Sequence, residues 1–443
     1  MIDYTYLELQ NPWWEDKKTI NNDLEIRELE KLPYQYRPKT VLNLPLRKGD
    51  INIITGPRQT GKSTAIKLYI RSLLEMDFHP KGVLFFNCDA LSKHQDIINL
   101  ILEFIKRGEN DNKAIFLDEI SSVPQWSYAI KWLADGGFLR DATLFLTGSS
   151  SIQLKKSGEL LPGRRGKGKD INFLPINFKE FLVLKGVDIK KKGFQTMVKI
   201  EKLFDEFLIW GGFLRNINNH PLENELYLAT FKSDLYKARK KEDFLREVIR
   251  KLILSLSAQT SYTNIAEEAE LGSKNTAIEY LSFLIDSFFF KEVKFFDISQ
   301  KKVILKKNKK YYTTDPYLIW LFTSFVTGSV NFSAMEQQYN SSSEKGKLVE
   351  NFIASELSKT GVNFYYSQYS SEVDFFLPKE KLAIEVKYKN RVTSDDLKPF
   401  ITKIIPNNVN KIIVTKNQLE KRGNINLIPA QLVTLSELWP KLS

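Results

Sequence analysis

Two groups of residues in this 443-residue chain have the types and spacing to do chemistry on phosphates. The first is Gly56-Pro57-Arg58-Gln59-Thr60-Gly61-Lys62-Ser63, followed by Thr64. It fills every fixed position of the P-loop pattern G-x-x-x-x-G-K-[ST]. Gly56 and Gly61 let the backbone curl so that consecutive N–H groups face phosphate oxygens. Lys62 neutralises the β- and γ-phosphates, and the Ser63 hydroxyl helps hold Mg²⁺. Residues 50–55 are short and rich in β-branched side chains, and residues 64–70 read as a helix. That is the strand-loop-helix context the motif requires, so a nucleoside triphosphate is the expected ligand.

A second element turns binding toward hydrolysis. Ala114-Ile115-Phe116-Leu117-Asp118-Glu119 is an apolar run ending in two carboxylates, the form of a buried parallel strand that delivers acids to the C-terminal edge of a sheet. Asp118 is positioned to hold Mg²⁺ through water, and Glu119 to orient and polarise the attacking water. A further apolar run, residues 142–146, ends in Thr147-Gly148-Ser149-Ser150. These hydroxyls read either as γ-phosphate sensors, Thr147 first, or as an ordinary turn. Leu161-Pro162-Gly163-Arg164-Arg165-Gly166-Lys167-Gly168-Lys169 is a glycine-spaced basic loop. It is open to three readings: a solvated loop, an arginine finger supplied by Arg164 or Arg165, or a DNA contact.

The second group lies near the C-terminus. Residues 372–377 and 382–388 alternate in polarity around a short turn containing Pro378, which predicts a β-hairpin. With a period of two, Glu385 and Lys387 share one face, and Asp374 lies opposite them on the paired strand. Residues 346–354 read as a helix that brings Glu350 to the same place. Asp374 and Glu385, with Glu350, would ligate Mg²⁺, and Lys387 would stabilise the attacking hydroxide or the pentacovalent charge of phosphodiester cleavage. Glu-x-Lys alone is usually a cross-strand charge pair. The full set, helix Glu, strand Asp, then Glu-x-Lys, is more specific.

The rest of the chain must position these groups. Its length calls for two to four domains. Lysine and arginine total 65 against 53 acids, a net charge of +12 with pI near 9.3, which favours a polyanionic partner such as nucleic acid. Cys88 is the only cysteine, so no intrachain disulfide can form, and a reducing interior is expected. Neither a signal peptide nor an apolar run of about 18 residues is evident, so a soluble, cytoplasmic protein with no membrane partner is expected. Asn11-Pro12-Trp13-Trp14 reads as a packing anchor. Residues 262–273 give a short helix, a glycine turn and a capping serine, and a longer helix follows from Lys274. This is helix-turn-helix spacing. Residues 291–312, with Lys301, Lys302, Lys306, Lys307, Lys309 and Lys310, then read as a basic β-wing. Such a winged helix either docks on DNA, with Lys274, Asn275 and the wing lysines deciding it, or serves only for packing.

These motifs together, with Leu117-Asp118-Glu119-Ile120, Trp126 and Glu385-Val386-Lys387, resemble the archaeal branch of a prokaryotic AAA-type ATPase family along essentially the whole chain. The resemblance implies an α/β multidomain fold: an N-terminal extension (1–40), an AAA-type P-loop core (41–184), a helical lid (185–243), a winged helix (244–335) and a PD-(D/E)xK restriction-endonuclease-like domain (336–443). It implies Lys62, Ser63, Asp118 and Glu119 as ATPase residues, and Glu350, Asp374, Glu385 and Lys387 as a nuclease-type site. ATP and Mg²⁺ are the implied cofactors, with double-stranded or branched DNA and further copies of the chain as partners. Thr147 stands where AAA proteins carry a polar amide sensor, and Leu214 where the family often has proline. Two functions are expected: an ATPase driving a Mg²⁺-dependent nuclease, or an ATP-switched DNA-binding or regulatory protein that does not cut.

Overall fold

The structure, a computed structural model, describes residues 4–107, 112–149, 161–191, 193–218, 224–328, 342–401 and 404–441. The chain divides into two compact units after Leu174. No helix among the described residues is long and apolar enough to cross a membrane.

The first unit is built on five parallel strands, β1 (Ile51–Thr55), β2 (Val83–Asn87), β3 (Lys113–Asp118), β4 (Ala142–Gly148) and β5 (Asp170–Asn172), in the order β2-β3-β4-β1-β5. Strands β1, β3 and β4 are buried throughout, as apolar runs covered on both faces must be. One face packs on the helices His94–Arg107 and Trp126–Asp135, the other on Lys62–Glu75. Phe116 stacks on Phe145 with centroids 4.7 Å apart, and Tyr69 meets both edge-on. The edge strand β2 is closed by the Asn11 cluster. Asn11 Nδ2 donates to Leu7 O (2.8 Å) and Phe85 O (2.9 Å), its Oδ1 accepts from Phe85 N (2.6 Å), and the Trp14 indole donates to Val83 O (2.7 Å). Backbone groups that an edge would leave open are thereby satisfied.

The second unit begins earlier than the expected boundary at 184. Asn177 and Glu180 form a reciprocal capping box on the helix Phe178–Leu184. Phe178 N donates to Glu356 Oε2 (2.9 Å), and its ring packs on Phe204, Phe207 and Phe352. This helix therefore belongs to the core built by Phe194–Trp210 and Ser342–Thr360. The break at Gly211-Gly212 is shaped around a buried acid. A Cβ on Gly211 would lie 1.7 Å from Asp315 Oδ1, and Gly212 N donates to Asp315 Oδ2 (3.0 Å). Asp315 in turn pairs with Lys359 (3.0 Å), which also meets Glu356 (3.2 Å).

The helices Glu242–Leu254, Tyr262–Glu268 and Lys274–Asp286 follow in the expected order. Ser261 and Ser273 cap the last two, and Gly272 sits between them at φ +71°. Strands β6 (Phe290–Val293) and β9 (Lys310–Thr313) pair antiparallel, and Lys309 bridges to Thr260. Between them, β7 (Phe296–Asp297) and β8 (Lys302–Val303) form a second small pair. The expected projecting wing is in part packed down. Phe296 and Ile298 enter a core with Val373 and Phe376, and Ser367 Oγ donates to Phe296 O (2.9 Å). Lys306 and Lys307 stay exposed, but Lys309 and Lys310 are buried, which corrects their assignment as wing contacts to phosphate.

The remaining sheet runs β10-β11-β12-β13-β15-β14, formed by Tyr365–Gln368, Glu372–Leu377, Leu382–Val386, Asn410–Thr415, Ile425–Pro429 and Glu420–Arg422 in that spatial order. β11 and β12 make the expected hairpin in the register Phe375↔Ile384 and Phe376↔Ala383, while β12, β13 and β15 are parallel.

Candidate functional site

The P-loop connects β1 to the helix Lys62–Glu75. A Cβ on Gly56 would lie 2.1 Å from Phe173 O, and Gly61 stands at φ +91°, so both positions need glycine. Pro57 is buried, Arg58, Gln59, Ser63 and Thr64 are half-buried, and Thr60 Oγ1 closes the loop on Pro57 O (2.9 Å). Lys62 Nζ donates to Gly56 O (2.9 Å) and Pro57 O (2.8 Å), which holds its charge at the loop. Thr64 Oγ1 also donates to Glu25 Oε2 (3.3 Å), bringing a carboxylate from the helix Leu24–Lys31 that spacing alone gave no reason to select.

The acids end β3, next to β4, which is next to β1. Thr147 Oγ1 donates to Asp118 Oδ1 (2.5 Å) and accepts from Glu119 N (2.9 Å). Thr147 is fully buried with its only hydroxyl proton committed to Asp118. It is a bridge between the two acids in place of the expected phosphate sensor. Glu119 Oε1 accepts from Ser149 Oγ (2.7 Å), Ser149 N (3.1 Å) and Ser121 Oγ (2.9 Å). Burial alone would raise the Glu119 carboxyl, but the Lys62 charge and these hydrogen bonds outweigh it and hold it below its ordinary value. It is therefore an ionised, oriented acceptor. Ser150 lies outside the described residues. Asp118 and Ser63 offer the hard oxygen donors that Mg²⁺ takes, so these residues fit that ion.

Both arginines of the basic loop are engaged within their own unit. Arg164 makes a bidentate pair with Asp135 (2.5 and 3.2 Å). Arg165 pairs with Asp170 (2.7 and 3.1 Å) and donates to Ile51 O (3.3 Å). Arg165 thus fastens β5 beside β1 and is a brace more than a group held ready for phosphate.

The second group assembles, around an unexpected centre. Asp374 and Glu385 lie opposite one another across β11 and β12: Asp374 N donates to Glu385 Oε2 (3.2 Å), and Val386 N to Asp374 Oδ2 (2.9 Å). Lys387 Nζ meets Glu385 Oε1 (2.5 Å). Glu350 arrives from the helix Ser342–Thr360 and accepts from Tyr312 OH (2.5 Å). Between Asp374 and Glu350 sits Lys310, 1% exposed, with Nζ 3.1 Å from Asp374 Oδ1, 3.2 Å from Glu350 Oε1, and also paired with Glu372. Burial, then the nearby Asp374, push Glu350 up to about 7 and Glu385 well above its ordinary value. Burial would lower Lys310, but Tyr312, Asp374, Glu350 and Glu372 outweigh it and hold the ammonium well above its ordinary range. Glu350, Asp374 and Glu385 were expected as Mg²⁺ ligands. As arranged they do not fit a metal, because Glu350 and Asp374 share the Lys310 ammonium and Glu385 is paired with Lys387. No group of three or more His, Cys, Asp or Glu side chains able to hold a metal ion occurs among the described residues. Lys310 and Tyr312, two apart on β9 and so on one face, were the available sequence signal for this partnership.

The parallel sheet, the loop after β1 and the acids at the end of β3 define a P-loop nucleotide-binding domain. Residues 48–182 match the family model described as an AAA domain, and this part of the chain has the parallel sheet and P-loop of such a domain. Residues 201–324 and 345–433 match two further models, each described as a domain of unknown function, DUF8612 and DUF4143. An uncharacterized protein of Methanocaldococcus jannaschii is 27% identical over 432 residues, covering 90% of this chain and 86% of its own length. An uncharacterized protein of Haemophilus influenzae is 28% identical over 285 residues, covering 60% of this chain and 67% of its own. Of solved structures, the Walker-type ATPase PABY2304 of Pyrococcus abyssi aligns with a TM-score of 0.40 and 12% identity, over 70% of this chain and 95% of that one. The ORC2 protein of Aeropyrum pernix in its ADPNP-ADP complexes aligns with a TM-score of 0.40 and 13% identity, over 69% and 94%.

Proposed function

We propose that this chain is an ATP-hydrolysing switch that binds DNA and does not cut it. The observation that carries the hydrolytic part is Glu119, ionised and held by Ser149 and Ser121 while Thr147 ties its backbone to Asp118. Mg²⁺, when held by Ser63 and Asp118, supplies charge neutralisation at the phosphates. Lys62 binds the β- and γ-phosphates, and Glu119 accepts a proton from the attacking water and orients it. Catalysis of this kind is positioning and electrostatics, which a preorganised carboxylate provides.

DNA is the partner that the charge of +12 favours. The helix-turn-helix with its strands reads as a winged helix, supported by exposed Lys274 and Asn275 at the start of the second helix and exposed Lys306 and Lys307 after β8. Such a helix enters a major groove while basic side chains hold the backbone. Oligomerisation would let Arg164 leave its exposed pair with Asp135 and reach a neighbouring copy's nucleotide, since exposed pairs contribute little. Metal-dependent cleavage at Glu350, Asp374, Glu385 and Lys387, the other function expected from the sequence, lacks support in a cluster centred on an ammonium.

The test is anisotropy of labelled duplex and branched DNA with the full chain bound to ADP or to a non-hydrolysable ATP analogue. A switch gives different affinities in the two nucleotide states. Equal affinities would remove the switch, and no binding at any salt concentration would remove DNA.

A further inference from the structure

We propose that Lys310 is the resident cation of the carboxylate cluster in the second unit, taking the part of a divalent metal, and that the cluster is an ion-pair joint fastening β9 to β11 and to the helix Ser342–Thr360. The inference concerns this cluster alone and does not depend on the nucleotide switch.

The geometry is that of a saturated ammonium. Lys310 has three N–H donors and no acceptor, and three carboxylates surround it: Asp374 at 3.1 Å, Glu350 at 3.2 Å, and Glu372 directly against it. Tyr312, two residues along the same strand, donates to Glu350 (2.5 Å), so β9 supplies both the cation and a second donor. Asp374 Oδ2 is taken by Val386 N, and Glu385 Oε1 by Lys387. The acids are thus committed to lysines, tyrosine and backbone. A hard cation needs oxygens at about 2.0–2.6 Å, and a dication beside a buried ammonium would meet like-charge repulsion at low effective dielectric. Lys310 also cannot swing out at little cost: it is 1% exposed, and its departure would leave buried carboxylates uncompensated. The three acids come from two elements, β11 and the helix Ser342–Thr360, and the lysine from a third. A charge cluster shared by three elements acts as a fastener.

The experiment is Mn²⁺ titration of the nucleotide-free full chain, followed by electron paramagnetic resonance, for wild type and Asp374→Asn, together with melting of Lys310→Met with and without Mn²⁺. The expected result is the same Mn²⁺ binding in wild type and Asp374→Asn. Lys310→Met should melt several degrees lower, and Mn²⁺, which the Ser63 and Asp118 site can take in both proteins, should raise its melting temperature more than that of wild type. A stoichiometric wild-type Mn²⁺ site abolished by Asp374→Asn would overturn the proposal, as would unchanged melting of Lys310→Met. If Lys310→Met cannot be recovered folded, the wild-type and Asp374→Asn titrations decide alone.

Discussion

The Thr147 hydroxyl donates a 2.5 Å hydrogen bond to Asp118 Oδ1, while its oxygen accepts from the Glu119 backbone N–H 2.9 Å away. One buried side chain on β4 thereby holds the Asp118 carboxylate and the Glu119 backbone at the end of β3. Thr147→Val preserves the shape and removes the bridge. Hydrogen bonds to charged groups contribute about 1.5–3 kcal/mol, so kcat for ATP hydrolysis should fall roughly 10- to 100-fold. Nucleotide affinity, read by titration with a fluorescent ATP analogue, should change far less. A large fall in affinity with preserved kcat would make Thr147 a nucleotide ligand after all.

Glu119→Gln should retain nucleotide affinity and lose about 10²–10⁴ in turnover, the usual cost of removing a general base, whereas Lys62→Ala should weaken both. The Glu119 carboxyl is held low by Lys62 and by the Ser149 and Ser121 hydrogen bonds against its burial. Its ionised form therefore persists to lower pH than that of an ordinary glutamate, and the stability it contributes is lost only as pH falls through that lowered value. Ser149→Ala removes one of these bonds, so the acid limb of the kcat–pH profile should move to higher pH. An unmoved limb would separate Ser149 from the base.

The two adjacent arginines should behave differently. Arg164 pairs with Asp135 at an exposed position, and Arg165 braces Asp170 and Ile51 O. Arg164→Ala should lower ATPase activity in the assembled state with little change in melting temperature. Arg165→Ala should lower the melting temperature. Equal ATPase activity in Arg164→Ala and wild type, measured across protein concentrations that span assembly, would exclude Arg164 as a finger.

Lys306 and Lys307 are exposed, while Lys309 donates to Leu305 O and Lys307 O (both 2.8 Å) and Lys310 is locked among acids. If the exposed pair touches phosphates, Lys306→Ala/Lys307→Ala should flatten the dependence of duplex affinity on salt by about 0.9 in log–log slope for each phosphate no longer neutralised. Lys309→Ala should leave that slope as it is. An unchanged slope in the double variant would move the DNA surface elsewhere, with the Lys274 end of its helix the next candidate.

What the sequence determined by itself is what depends on local spacing. The P-loop was legible because its phosphate-binding backbone is made by eight consecutive residues. The Asp118-Glu119 pair was legible because an apolar run buried on both faces must end at a sheet edge, and the Asp374/Glu385 opposition because a short turn sets hairpin register. Tertiary structure decided which charge answers which. Lys310 stands 64 residues from Asp374 and 40 from Glu350, and among six lysines between positions 301 and 310 the period that puts Lys310 on one face with Tyr312 does not say that acids from two distant elements will meet that face. The same holds for Thr147, which spacing offered as a phosphate sensor and packing beside β3 turned toward Asp118. In a low-dielectric interior a charge or hydroxyl must be satisfied by whatever neighbour the packing supplies. That neighbour is fixed by the fold of distant segments, which no local period encodes.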